Sequence, residues 1–203
     1  MKLKDFRKKM KKNIFSVNEA KIVCFADKPD VLNLQLHLWK KSGDLISLKR
    51  GLYMFADAKS EISEVARRLY GPCYFSLEYI LNFYSIMPEA VFEYTLVSTK
   101  ATRRFKTPMG IFTYRQIKKE AFTGFDAETL MADKEKALVD YFYLHSSKLV
   151  PCDAFWDELR FEAGATKINF KKALKYAKLF KSKKLNLLLN SFRDYAKSHQ
   201  NYY

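Results

Sequence analysis

Cysteine is scarce in this chain. Cys24, Cys73 and Cys152 are far apart and odd in number. They fit neither a zinc-binding spacing nor a secreted disulfide framework. Buried free thiols in a reducing cytosol are the expectation. Histidine is equally sparse, and His37, His145 and His199 stand at no metal-ligand spacing. There is no glycine-rich phosphate loop. The serines and cysteines have no identifiable base-and-orienter pattern beside them. No apolar run approaches the length of a membrane span, and no apolar signal core follows the basic first residues. These absences set an expectation: a cytoplasmic protein that is not an enzyme, carries no metal or cofactor, and has no membrane partner.

What the chain does have is apolar residues and positive charge. Its 203 residues are 48% apolar and 16% aromatic, with a net charge of +15. That composition can bury a sizeable core, in one larger or two small domains. The charge is uneven. Residues 1–60 hold 14 lysines and arginines against 6 acids, residues 61–150 hold 12 against 11, and residues 151–203 hold 11 against 5. Two basic ends around a neutral middle favour contact with a polyanion at the ends.

Lys2–Lys12 reads as a short basic helix with Leu3, Phe6 and Met10 on one face. Asn13 or Ser16 starts a second helix through Val17, Ala20, Ile22 and Val23. A third runs from Pro29 to Ser42, and Gly43 ends it. In projection, Leu32, Leu36 and Trp39 form a narrow apolar arc, which Val31, Leu34 and Leu38 widen. Gln35 falls at its boundary. The remaining arc holds Asn33, His37, Lys40 and Lys41, a polar and cationic face. Leu45–Leu48 and Leu52–Phe55 then make a hairpin around Lys49-Arg50-Gly51.

Three helices and such a hairpin make a winged helix-turn-helix. A helix fits the major groove, where amide and imidazole groups meet base edges. Asn33 and His37 suit that role, and Lys40 and Lys41 suit phosphates. Lys49 and Arg50 at the wing tip suit the flanking backbone or minor groove. Leu34 and Leu38, if left uncovered by the rest of the chain, would instead turn this helix toward a protein.

From residue 59 onward the reading is a mixed α/β domain. Glu61–Tyr70 is a helix stopped by Gly71-Pro72. Ser76 is a candidate N-cap for a helix carrying Leu77, Ile80, Leu81 and Tyr84. Pro88 ends it. Val91–Thr99 reads as a strand. Arg103–Lys106 and Ile111–Ile117 read as a hairpin around Thr107-Pro108-Met109-Gly110, which suits a type I turn. Phe122–Phe125 reads as a further strand or a loop. Asp133 caps a helix over Lys134–His145, with Ala137, Leu138, Tyr141, Phe142 and Leu144 as its buried set. Asp153–Phe161 reads as a helix. Asn169 caps another, with Phe170, Leu174, Ala177 and Phe180 opposite Lys171, Lys172, Lys175 and Lys178. A last helix covers Lys183–Lys197.

The fold class is therefore α+β. Residues 1–58 form the winged helix-turn-helix. Residues 59–203 form a mixed α/β domain with a small antiparallel sheet, its core reaching to about residue 150 and basic helices filling 151–203.

One long ordered string resembles a known family. Ser76-Leu77-Glu78, then Tyr84 to Glu89, then Thr99 to Arg104, then Thr107 to Arg115 resemble the signature of AbiEi-type antitoxins of type IV toxin–antitoxin systems. The family often has glycine where this chain has Ser85. The likeness extends to Leu45–Ala56, with an arginine-glycine-leucine-tyrosine wing, and to Ala132–Leu144, where Glu135 to Asp140 matches a helix motif of the family. The resemblance implies an antitoxin that is also a transcriptional autorepressor on promoter DNA with repeats. Its functional partner would be a nucleotidyltransferase-like toxin, with no stable direct complex implied. Lys100, Arg103, Arg104, Lys106 and Arg115 are the candidate antitoxin surface, against a structural alternative in which they pair with Glu89, Glu93 or Glu120. Two other readings stand beside it. One is a stand-alone winged-helix regulator. The other is an RNA- or protein-binding module working through the C-terminal lysines.

Overall fold

A computed structural model describes residues 1–24, 29–159, 161 and 168–199. The chain forms two compact units, Met1–Gly71 with Phe105–Ile111, and Pro72–Arg104 with Phe112–Tyr203. Both mix helices with strands.

The first unit runs α1 (Leu3–Lys9), β1 (Ile14–Ser16), α2 (Val17–Val23), α3 (Pro29–Lys41), β2 (Leu45–Lys49), β3 (Leu52–Phe55) and α4 (Ile62–Tyr70). Its sheet is antiparallel in the order β1-β3-β2. The sequence gives no sign of β1. Three residues are too few to show alternation, and the partner strand lies about forty residues on, with Ile14 opposite Met54. Between Asn13 and Ser16 as helix starters, Ser16 is the one used. Its hydroxyl accepts from the Glu19 N–H at 3.2 Å, and its own N–H donates to the Glu19 carboxylate at 2.7 Å. This capping box satisfies two otherwise orphaned donors. Burial works to raise the Glu19 pKa, but the Arg68 guanidinium, the Lys12 ammonium and the Ser16 N–H together hold it far below its ordinary value.

Phe6, Met10, Phe15, Leu32, Leu36, Leu45 and Phe55 pack into one core. Phe6 stacks on Trp39 at 5.2 Å between ring centroids and meets Phe15 edge-on at 5.2 Å. The turn after β2 needs a left-handed residue. Gly51 supplies it at φ +76°, and a side chain there would be limited by the backbone rather than by crowding.

From Pro72 onward the chain forms β4 (Cys73–Phe75), α5 (Leu77–Phe83), β5 (Tyr94–Ser98), β6 (Arg103–Thr107), β7 (Gly110–Gln116), a 3-10 turn (Lys119–Ala121), α6 (Lys134–Leu144), α7 (Asp153–Glu158), α8 (Phe170–Phe180) and α9 (Lys183–His199), all in the second unit except the Phe105–Ile111 parts of β6 and β7. The sheet order is β4-β5-β7-β6. The pair β4–β5 is antiparallel, whereas β5 and β7 run parallel. This sheet is therefore mixed rather than antiparallel throughout. Phe122–Phe125 is a loop that makes one isolated bridge, Phe125 to Ala132. Helix α7 is shorter than the sequence suggests, and Arg160 lies outside the described residues.

Helix α6 packs against α5, α8 and α9. Around it Phe142 stacks on Trp156 at 5.3 Å and meets Phe192 edge-on at 5.4 Å. The C-terminal helices thus belong to this core and are not an appendage. Among the described residues no helix is long and apolar enough to cross a membrane.

Candidate nucleic-acid interface

Helix α3 is anchored by Leu32 and Leu36, both buried, and by the partly buried Trp39. That fixes which side faces out. Asn33, His37, Lys40 and Lys41 are all exposed on it. The one acid of this helix, Asp30, sits in its first turn, where a carboxylate suits the helix dipole. Lys40 and Lys41 occupy the last turn.

The apolar arc is narrower than the sequence pattern suggests. Val31, Leu34 and Leu38 do not join the core: they are 44%, 59% and 51% exposed. Ile22 of α2 is 76% exposed as well. Two buried positions per two turns and a tryptophan at the margin are enough to seat a thirteen-residue helix. The condition that would turn α3 toward a protein is therefore met by exposure alone, and the identity of the partner rests on the surrounding chemistry.

The two hairpin cations part company. Arg50 is exposed at the turn. The Lys49 ammonium instead donates to the Leu69 carbonyl at the end of α4 and lies 5.4 Å from the Phe105 ring centroid. A helix C-terminus and an aromatic face both attract a cation. A bulge between Ser47 and Lys49 shifts the strand register just before Lys49, which still pairs with Leu52. Five of the six residues singled out from the sequence are thus open to a ligand, and Lys49 is committed within its own unit.

The second candidate surface is more dispersed. Arg103, Arg104 and Lys106 lie on β6, at the edge of the sheet. Charged side chains on an edge strand discourage pairing with another chain. Arg104 contacts the Glu93 carboxylate through Nε and a terminal nitrogen, both at 3.2 Å, and Thr113 donates to the same carboxylate at 2.9 Å. The structural alternative is thereby realised for Arg104. Lys100 and Arg103 are exposed and Arg115 is half-buried. Lys106 is grouped with the first unit and the other four with the second.

The most unusual chemistry in the second unit lies inside it. The Lys136 ammonium pairs with Asp140 one turn away, and both side chains are fully buried. The other Asp140 oxygen accepts from the Tyr74 hydroxyl at 2.8 Å and from Ser76 at 2.9 Å. Lys136 also lies 5.0 Å from the Phe180 ring centroid and 5.4 Å from that of Tyr74. Burial lowers the Lys136 pKa and raises that of Asp140, and each partner opposes the other's shift. Burial, with the adjoining Asp140, also raises Tyr74 well above its ordinary value. The sequence signal for it was two opposite charges at i, i+4 on a helix with an apolar residue at every step between them.

Ser76 therefore serves Asp140 and not its own helix. The N-terminus of α5 is capped from the neighbouring strand: the Tyr79 N–H donates to the Thr95 hydroxyl at 3.0 Å, and that hydroxyl donates to the Ser76 carbonyl at 2.7 Å. Asp133 and Asn169 do cap α6 and α8 as their positions suggest, accepting from Lys136 N at 2.8 Å and Lys172 N at 3.0 Å.

On α8, Lys172 pairs with Asp133 at 2.9 Å and Glu135 at 3.5 Å. Lys171, Lys175 and Lys178, with Leu174, Asn186 and Asn190, line an open cleft of about 450 Å³. Among the described residues no three histidine, cysteine or acidic side chains converge as metal ligands. No family model and no curated protein matches this chain.

Proposed function

We propose that the chain is an AbiEi-like antitoxin of a type IV toxin–antitoxin pair and an autorepressor of its own promoter. On this reading the first unit is a winged helix-turn-helix that binds double-stranded promoter repeats in the cytoplasm. The second counters a nucleotidyltransferase-like toxin without a stable embrace of it. The observation that carries the DNA-binding half is the face of α3: Asn33, His37, Lys40 and Lys41 are exposed together, on a helix whose opposite side is locked into the core. Support also comes from the element order, in which α3 is followed directly by an antiparallel hairpin with exposed Arg50 at its turn. Asn33 and His37 reach base edges; Lys40, Lys41 and Arg50 neutralise phosphates.

The test is binding of the full chain to the duplex upstream of its coding sequence. Replacing Lys40, Lys41 and Arg50 by alanine should weaken binding by about a hundredfold at moderate salt and flatten the salt dependence by about three counterions. All three side chains are exposed, so the fold should be unchanged by circular dichroism. Equal affinity of variant and wild type at 150 mM salt, roughly the physiological value, would reject this surface. The antitoxin half is tested by co-expression with the neighbouring gene while growth is followed. No rescue from a toxic neighbour, or no such neighbour, leaves a stand-alone regulator.

A second reading has its own observation. The exposed Val31, Leu34 and Leu38 on the same helix suit a protein partner. It requires that the lysines of α3 be dispensable for whatever α3 binds.

A further inference from the structure

Val31, Leu34 and Leu38 follow one another at i, i+3 and i+7, a single stripe along the outside of α3. Leu34 lies beside Lys41 in projection, near the middle of the outward face. An apolar side chain in that position has one apolar counterpart on a base edge in the major groove, the 5-methyl group of thymine. Resting on the DNA-binding reading above, we propose that Leu34 and Leu38 choose the operator by packing against thymine methyls, while Asn33 and His37 bond to neighbouring base edges.

Three arguments favour this occupant. Contact between leucine and methyl removes apolar surface from water on both sides. The spacing also fits: four residues of helix rise about 6 Å, close to two base-pair steps of about 3.4 Å each. The two leucines then address thymines about two steps apart. Finally, size and charge argue against a protein. Three half-exposed side chains make a patch of at most a few hundred Å², well short of the roughly 800 Å² per partner of a standard interface. Exposed Lys41 lies beside Leu34 in projection, whereas lysine is depleted from interface cores. The same lysine complements the phosphates that edge a groove.

The experiment uses the full chain and the duplex upstream of its coding sequence, made once with thymidine and once with deoxyuridine throughout. Deoxyuridine pairs identically and lacks only the methyl. Wild type should bind the deoxyuridine duplex about tenfold more weakly, in keeping with the discrimination of a good base contact. The L34A/L38A variant should bind both duplexes equally, near the wild-type affinity for deoxyuridine. Both leucines are more than half exposed, so the variant should fold. Equal wild-type affinity for the two duplexes would overturn the inference and leave DNA binding intact. Binding of wild type to neither duplex would remove the DNA-binding reading, and this inference with it. If L34A/L38A weakened both duplexes by the same factor and lowered the solution mass by light scattering, the ridge would be an interface between copies of the chain, and the inference would fall.

Discussion

Lys136 places its side-chain nitrogen in the middle of a hydrophobic core, and its surroundings explain how it stays there. Asp140 supplies the opposite charge, and the Tyr74 and Phe180 rings offer their faces. Tyr74 and Ser76 use the remaining capacity of the carboxylate. A buried pair of this kind adds little net stability, but breaking it by removing one partner strands a charge. K136M should therefore lower stability by about 3–5 kcal/mol, read from the urea midpoint. K136M/D140N should regain at least about 1 kcal/mol of that loss, since the stranded charge is gone while an acceptor for Tyr74 and Ser76 remains. A double variant no more stable than K136M would show that the charges are not coupled. Ser85 is one of the non-glycine residues with positive φ. It sits at φ +54°, a left-handed conformation that glycine adopts freely.

Among the elements, α5 shows how a correct boundary can rest on an unexpected contact. The helix starts after Ser76, as its sequence suggests, yet the capping hydroxyl belongs to Thr95 on β5. Thr95 is buried and bonds on both sides, so it stitches strand to helix. T95V keeps the shape and removes both bonds. It should cost about 1–3 kcal/mol, the penalty for leaving buried backbone groups unpaired, measured by chemical denaturation. A loss below about 0.5 kcal/mol, the lower edge of a net hydrogen bond, would mean that the α5 terminus is satisfied some other way. By contrast, α6 and α8 are capped by their own Asp133 and Asn169. Those caps were legible in the sequence because donor and acceptor lie three residues apart. The Thr95 cap was not, because its partner is sixteen residues away.

At the scale of the molecule, positive charge is concentrated toward the two ends of the chain, but the two excesses have different surroundings. The N-terminal excess includes the exposed cations of α3 and Arg50. The C-terminal excess lies on helices that build the second core, with Lys172 paired to Asp133 and Glu135. If the first unit alone holds the duplex, K171A/K175A/K178A should keep upstream-duplex affinity within about twofold, as expected where no phosphate contact is lost. A tenfold loss would show that the C-terminal cleft also grips nucleic acid, and would bring the RNA-binding alternative forward.

The chain by itself determined where its helices and most of its strands lie, because periodicity, caps and turn residues act over a few positions. It also determined which side of α3 carries polar and cationic groups. Tertiary structure alone decided which apolar residues are core: Leu32 and Leu36 are buried while Leu34 and Leu38 are not. It alone tied Lys49 to the Leu69 carbonyl, paired β5 parallel to β7, and brought Tyr74, Ser76 and Asp140 together. The physical reason is the same in each case. A hydrophobic or charged residue records a preference for an environment, and the environment is supplied by parts of the chain that no local pattern can see.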